Sequence, residues 1–198
     1  MRFLRRLFPL VVLLVSSSTA FSDQANDALS HISTFSKMLD ENQDAVNRYN
    51  GGIVAASPLA HGMLNIWTSL REANSNLQGT KFTPQESSEI VGNLTAANEA
   101  SLNVLDAYRE KAPLLNQAGV GFMVPIFMQA LYREADDFTV GLKKQMPQKY
   151  AASMDQITAR HRTAWDETFQ SYESASKPNP LNHKRFFSMV SPVLGLLI

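Results

Sequence analysis

Three polar side chains interrupt apolar helical patterns in this sequence and are its best candidates for ligand chemistry. His161 falls on a run of apolar positions that also carries Ile157 and Trp165. Asn42 and Ser101 interrupt two other runs in the same way. Neutral groups of this kind, placed inside an apolar interior, can hold the carboxylate or hydroxyl of a ligand. The alternative is that each is bonded to a neighbouring residue or lies at the edge of its apolar face.

No residue pattern in the chain indicates catalysis. The sequence lacks the GxSxG nucleophile turn, the HExxH zinc motif and the glycine-rich loops that bind phosphates or dinucleotides. Adjacent acidic pairs such as Asp136-Asp137 are typical of solvated helix faces, because neighbouring helical residues point in different directions. The histidines show no metal-ligand spacing and cysteine is absent, so we expect no enzyme, no cofactor and no metal.

Large apolar side chains recur at steps of three and four residues and form the second set of candidates. Residues so spaced lie on one face of a helix and form the interior of a helical domain. Aromatic and methionine side chains in such an interior either line a ligand cavity or fill a solid core. The candidates for lipid contact are Met63, Trp67, Phe127, Leu131, Phe138, Met154, Ile157 and Trp165.

About five amphipathic helices are predicted to carry these residues, and no stretch alternates with the period of a strand. Short connections between amphipathic helices favour an antiparallel bundle, so the fold class is all-α, with the domain at residues 23–174. The first helical run extends from Ala28 to Gly51-Gly52, and the second helix has Ser57 as its N-cap and Pro58 in its first turn. The third helix begins with a capping box at Thr83–Glu86 and ends at Pro113. After a loose stretch through Pro125, a fourth helix ends at Pro147 and a fifth begins at about Lys149.

The beginning of the chain predicts secretion. Three arginines precede nine apolar residues and a short run of small residues that ends at Ala20. This order is typical of a signal peptide, here residues 1–20. The mature chain then begins at Phe21, or at Asp23 if cleavage follows Ser22.

The end of the chain has the order of a glycosylphosphatidylinositol (GPI) anchor signal. A triplet of small residues, with Ser174 as the candidate attachment site, precedes residues 175–198, which comprise a polar spacer and an apolar tail. The alternative is a tail that packs against the bundle. Asn93 begins the single N-glycosylation sequon of the sequence and is a candidate for glycan attachment.

Composition limits the remaining classes of function. A chain of 198 residues is long enough for one domain that core packing stabilises without disulfides. The formal net charge is 0, and removal of the three arginines of the leader makes it −3. Without a concentrated basic face, nucleic-acid binding is not expected.

The order and spacing of several short motifs give the chain a family resemblance. It resembles the fungal hydrophobic surface-binding protein A family, which includes antigenic cell-wall galactomannoproteins, over about Ala28–Tyr172. The motifs that carry the resemblance are Tyr49-Asn50-Gly51-Gly52, Phe82-Thr83-Pro84-Gln85-Glu86, the leucines 94, 102 and 105, Lys111-Ala112-Pro113, and the helix from Leu131 through Leu142 to Pro147.

The resemblance implies a secreted or wall-associated helical domain that binds hydrophobic surfaces or encloses fatty acids, without catalysis. Partners would be fatty acids and similar amphiphiles, with cell-wall glycans as a further class, and a membrane would be reached only through a GPI anchor. The alternative is a structural wall mannoprotein with a solid core and no ligand. The long Ser/Thr-rich stalk of wall-anchored members is absent from this sequence.

Overall fold

The computed structural model of the chain describes residues 20–77, 79 and 81–173, and this part is helical. No strand occurs within it. Single 3₁₀ turns at Val54–Ala56 and Gln148–Tyr150 lead into the second and fifth helices. The helices are α1 (Asp23–Arg48), α2 (Ser57–Asn76), α3 (Pro84–Gln117), α4 (Met123–Gln145) and α5 (Ala151–Glu173). The prediction of an all-α bundle of about five helices is confirmed.

The five helices pack in two layers. Helices α1, α3 and α5 lie side by side in one layer and α2 and α4 in the other, and the contacts of α1 with α2 and of α4 with α5 join the layers. Within each layer the helices run in the same direction. The Tyr150 hydroxyl, for example, donates to the Pro84 carbonyl at 2.6 Å, which pairs the starts of α5 and α3. Consecutive helices therefore alternate in direction, and their apolar faces meet between the layers.

A buried carboxylate fixes how α1 begins beside α3. The predicted capping box is present, because Thr83 Oγ1 accepts from the Glu86 amide and Glu86 accepts from the Thr83 amide. Glu86 also accepts a 2.7 Å hydrogen bond from the Ser22 amide, and Ser22 caps α1 through its own side chain. Burial alone would raise the pKa of Glu86, but the hydrogen bonds from Thr83 and Ser22 outweigh it and lower the pKa to about 2.

We expect Glu86→Ala to lower the free energy of unfolding by about 2 kcal/mol at pH 7, because two amide groups lose a charged acceptor. Since its folded pKa lies below the unfolded value, the carboxylate contributes stability above about pH 4.5, and this is lost as pH falls toward 2. Urea unfolding at several pH values measures both effects. Glu110→Ala, at an exposed position of the same helix, is the control and should change stability by less than about 0.5 kcal/mol. Equal losses in the two variants would contradict the role given to Glu86.

Three helix boundaries differ from the sequence prediction. Ser57 is not an N-cap, because the preceding 3₁₀ turn runs directly into α2 and gives Ser57 helical angles. Pro113 does not end α3, which continues to Gln117. The buried side chains of Ala112 and Leu115 hold this helix in the core on both sides of the proline. The stretch predicted to be loose is a short turn after which α4 begins, with Pro125 in its first turn.

The buried apolar residues form two clusters along the bundle. The larger cluster fills the middle of the bundle and the end at which α2 and α4 begin. The smaller cluster fills the opposite end, at which α1, α3 and α5 begin. Glycines at the turns permit the short connections, since Gly51, Gly52 and Gly119 have positive φ. Within the described residues, none of the helices has the length and apolar character needed to cross a bilayer.

Candidate functional site

An internal cavity lies between the two layers, inside the larger cluster. Its volume is about 30 Å³, which is room for one or two water molecules. Every helix contributes to its wall. The lining side chains are Phe35, Leu39 and Asn42 from α1, Met63, Ile66 and Leu70 from α2, Ser101, Val104, Leu105 and Tyr108 from α3, Met128, Leu131 and Ala135 from α4, and His161 and Trp165 from α5.

The three polar residues selected from the sequence all line this cavity. Two of them bond to each other, because Ser101 Oγ and His161 Nε2 lie 2.8 Å apart. Burial lowers the pKa of His161 to about 4, so its ring is neutral at physiological pH. The ring also packs edge-on against Trp165, with ring centroids 5.7 Å apart. The pair is thus a neutral hydrogen-bonded contact between α3 and α5.

Asn42, the third polar residue, is fixed by a close approach of α1 to α2. Its Nδ2 donates to the Leu59 carbonyl at 3.4 Å. Gly62 makes room for it, since a Cβ at that position would lie 2.1 Å from Asn42 Nδ2. The other amide atom, Oδ1, is buried without a hydrogen-bond partner.

Two aromatic residues of the wall also carry buried polar atoms: Trp165 Nε1 has no hydrogen-bond partner, and the Tyr108 hydroxyl has none at ordinary hydrogen-bond distance, although it lies close enough to the Asn42 side chain to interact with it. Burial raises the pKa of Tyr108, with a smaller opposing effect from Asn42, so the phenol remains neutral. An unpaired buried donor or acceptor costs about 1–3 kcal/mol. The centre of the bundle is therefore polar enough to bind a ligand atom, and it carries no charge.

The eight apolar candidates are divided among several places. Met63, Leu131 and Trp165 line the cavity. Phe127 lines a second cavity of about 20 Å³, nearer the start of α4, whose wall shares Met63 and Tyr108 with the first. Trp67 lines neither cavity and packs beneath the Arg71 guanidinium. The remaining candidates belong to the smaller cluster, away from both cavities: Phe138, Met154 and Ile157.

Sequence reasoning did not select Tyr108 or Met128 for the site. Both are almost completely buried and line the cavity. Tyr108 could have been found, because it lies seven residues after Ser101 and so on the same helix face. Met128 carries no signal that separates a cavity wall from ordinary core.

The neutral His161 gives a prediction about pH. Its folded pKa of about 4 lies below the ordinary value of 6.5, so the unfolded chain takes up this proton first. Stability should fall as pH drops from 6.5 to 4, by up to about 1.4 kcal/mol per pH unit from this residue. Urea unfolding across this range should show a shallower slope for His161→Leu than for the wild type, while the exposed His61 offers a control in His61→Leu. An unchanged slope in His161→Leu would contradict a neutral buried ring.

The comparison with protein families gives one match. The family described as Hydrophobic surface binding protein A (HsbA) matches residues 25–143, which is more than half of the chain. The chain belongs to the HsbA family. The HsbA match ends within α4, so α5, which carries His161 and Trp165, lies beyond it. Among curated protein sequences, none matches the chain significantly.

Solved structures similar to this HsbA-family chain share its fold at low sequence identity. AfMP4p in complex with palmitic acid has a TM-score of 0.73 at 18% identity, over 75% of this chain and 99% of that one. Ligand binding domain 1 of the Penicillium marneffei MP1 protein, complexed with arachidonic acids, has a TM-score of 0.71 at 17% identity, over 75% and 98%. Ligand binding domain 2 of MP1, complexed with multiple arachidonic acids, has a TM-score of 0.61 at 16% identity, over 79% and 99%.

The remaining site predictions for this HsbA-family chain concern its surface and its ends. Asn93 is partly exposed on α3, and its Nδ2 donates to the Glu89 carbonyl at 2.9 Å. Ser174 and the apolar tail lie outside the described residues. Within the described part of the chain, no group of three or more His, Cys, Asp or Glu side chains is arranged to hold a metal.

Proposed function

We propose that this HsbA-family protein binds long-chain lipids, fatty acids among them, between the two layers of its helical bundle without catalysing a reaction. The observation that supports the proposal best is the internal cavity, whose wall is mainly apolar and is shared by all five helices. Burial of an acyl chain there contributes about 0.8 kcal/mol for each methylene group. The palmitic and arachidonic acid complexes of proteins with the same fold agree with this ligand class.

The protein must open to admit such a ligand, because the cavity of about 30 Å³ cannot hold an acyl chain. Met63 and Tyr108 line both this cavity and the second one, and Met63 is the more flexible of the two side chains between them. Unbranched methionine side chains adjust to ligand shape more readily than branched ones. Separation of the layers at the cavity would provide the rest of the space, at a place where unpaired polar atoms already weaken the packing.

Surface binding by the closed bundle has less support. The large hydrophobic residues exposed in the described part of the chain are Val54, Ile126 and Val140. Val140 lies in the second half of α4, several turns from Ile126 in its first turn. Ile126 borders an open surface groove of about 650 Å³ between α4 and α5, but polar side chains, including Gln129, Asp166 and Gln170, make up much of its lining. Scattered exposed apolar residues are otherwise normal on soluble proteins. If the protein coats a hydrophobic surface, we infer that it does so by turning its interior faces outward.

A structural wall mannoprotein is the second candidate function, and the small size of the cavity favours it. In that case the core stays packed, glycans on the surface interact with the wall, and no lipid binds. Partial exposure of Asn93 is compatible with a glycan in either case.

We further propose that the protein is secreted, through the leader at residues 1–20, and that a GPI anchor attaches at Ser174. Of the two cleavage positions, the one after Ala20 retains Ser22, which caps α1 and bonds to Glu86. That contact supports a mature chain beginning at Phe21.

Titration of the delipidated protein with palmitate tests lipid binding directly. In Trp67→Phe the fluorescence comes from Trp165, which lines the cavity, so the emission should change saturably with added palmitate. In the converse variant, Trp165→Phe, the remaining Trp67 lies outside the cavity and should respond much less. Calorimetry should give a negative heat-capacity change of binding. Absence of saturable binding by folded protein would leave the structural mannoprotein as the function.

A further inference from the structure

The polar atoms left unpaired around the cavity define what kind of ligand oxygen the protein can hold. Ser101 and His161 use their facing atoms on each other. Two other wall residues, each at least nine-tenths buried, have atoms without a hydrogen-bond partner, namely Oδ1 of Asn42 and Nε1 of Trp165, and the buried Tyr108 hydroxyl lies beside the Asn42 side chain. Asn42 Oδ1 can only accept a hydrogen bond, Trp165 Nε1 can only donate one, and the phenol can do either.

A hydroxyl group matches this set, because it donates one hydrogen bond and accepts others. A ligand hydroxyl placed between these two wall residues would accept from Trp165 Nε1 and donate to Asn42 Oδ1. A carboxylate matches poorly, since it has no proton to give to the amide oxygen. It would also be buried without a countercharge, because the described wall of the cavity contains no Lys or Arg and His161 is neutral. Burial of an unpaired charge is far more costly than burial of a neutral hydroxyl.

We propose that the interior site binds the hydroxyl group of a neutral long-chain alcohol, with Trp165 Nε1 as its donor and Asn42 Oδ1 as its acceptor. This inference rests on the proposed function and specifies its ligand class. An ionised fatty acid occupies the same apolar space in another manner, with its carboxylate at the surface of the bundle. The polar centre therefore discriminates between lipids that have equal chains and different head groups.

The test compares three ligands with the same twelve-carbon chain at pH 7.5: 1-dodecanol, dodecyl methyl ether and dodecanoate. Each displaces a fluorescent fatty-acid analogue from the purified protein. The ether can accept from Trp165 but cannot donate to Asn42. We expect dodecanol to bind about ten times more tightly than the ether, which is the effect of one or two hydrogen bonds to groups otherwise left unpaired.

Substitution of Asn42 or of Trp165 tests which residue makes each of the two hydrogen bonds to the alcohol. Asn42→Leu should remove the preference for the alcohol over the ether. Trp165→Phe should weaken binding of the alcohol and of the ether about five- to tenfold, and binding of dodecanoate less than twofold. Trp67→Phe is the matched control, since Trp67 is also buried but lies outside the cavity, and it should leave all three affinities unchanged. Circular dichroism establishes that each variant is folded.

A second measurement requires no change in the cavity. In Trp67→Phe a single indole N–H resonance remains, and saturating dodecanol should move it downfield as Trp165 gains an acceptor. The inference is overturned if dodecanol binds no more tightly than the ether, if Trp165→Phe weakens all three ligands equally, or if the resonance does not move downfield. Saturable binding of the fluorescent analogue without alcohol preference overturns this inference alone. No binding of the analogue by folded protein overturns the proposed function as well.

Discussion

Replacement of Leu131 by Trp is expected to lower the affinity for palmitate at least 100-fold while the protein remains helical. Leu131 faces the cavity from α4, and an indole is larger than the space available there. The added ring would take the volume that an acyl chain needs and would hold the layers against further opening. Overpacking of this kind costs about 1–3 kcal/mol, which a domain with a stability of about 5–15 kcal/mol tolerates.

Val140→Trp is the matched control for this substitution. Val140 lies on the same helix and is 39% exposed, so the indole adds apolar surface without entering the core. Its affinity for palmitate should equal that of the wild type within about twofold. Normal palmitate binding by Leu131→Trp, or loss of binding in both variants, would contradict a binding site at the interior cavity.

Deletion of core side chains should separate stability from binding. Leu142 is completely buried in the smaller cluster, and Leu142→Ala should lower the free energy of unfolding by about 3–4 kcal/mol without changing palmitate affinity more than twofold. Leu131→Ala should cost nearer 2 kcal/mol, because Leu131 already borders a cavity. It should retain or improve the affinity, since it enlarges the space for the chain.

Urea unfolding and palmitate titration of the two alanine variants measure these effects. The comparison is informative because both substitutions remove the same atoms from the same helix. A loss of affinity in Leu142→Ala that matched its loss of stability would indicate that binding depends on the whole core, and not on the cavity.

The helices were predictable from the sequence because their signals are local. The capping box of Thr83 and Glu86 and the spacing of apolar residues depend only on neighbours in the chain. The prediction of helix ends was wrong where packing between distant parts of the chain overrides a local signal. Pro113 lies within α3 because the residues around it are buried between the layers, and no local pattern reports that burial.

The polar lining of the cavity was predictable for a related reason. A polar residue on an apolar helix face is visible in the sequence, and the three residues selected in this way meet at one cavity. The apolar lining was predictable only in part, because Phe138 and Leu131 share the same face of α4 and differ only in the cluster to which they belong. That difference depends on how far along the bundle each lies relative to the other helices.

A crystal structure with 16-bromohexadecanoic acid would show whether the acyl chain lies between the two helix layers. Anomalous scattering locates the bromine, and thus the end of the acyl chain, without reference to the rest of the density. We predict a bromine peak between the two layers, within contact distance of Met128 or Leu131. A bromine peak only on the outer surface, in crystals of protein that binds the acid saturably in solution, would contradict binding in the interior of the bundle.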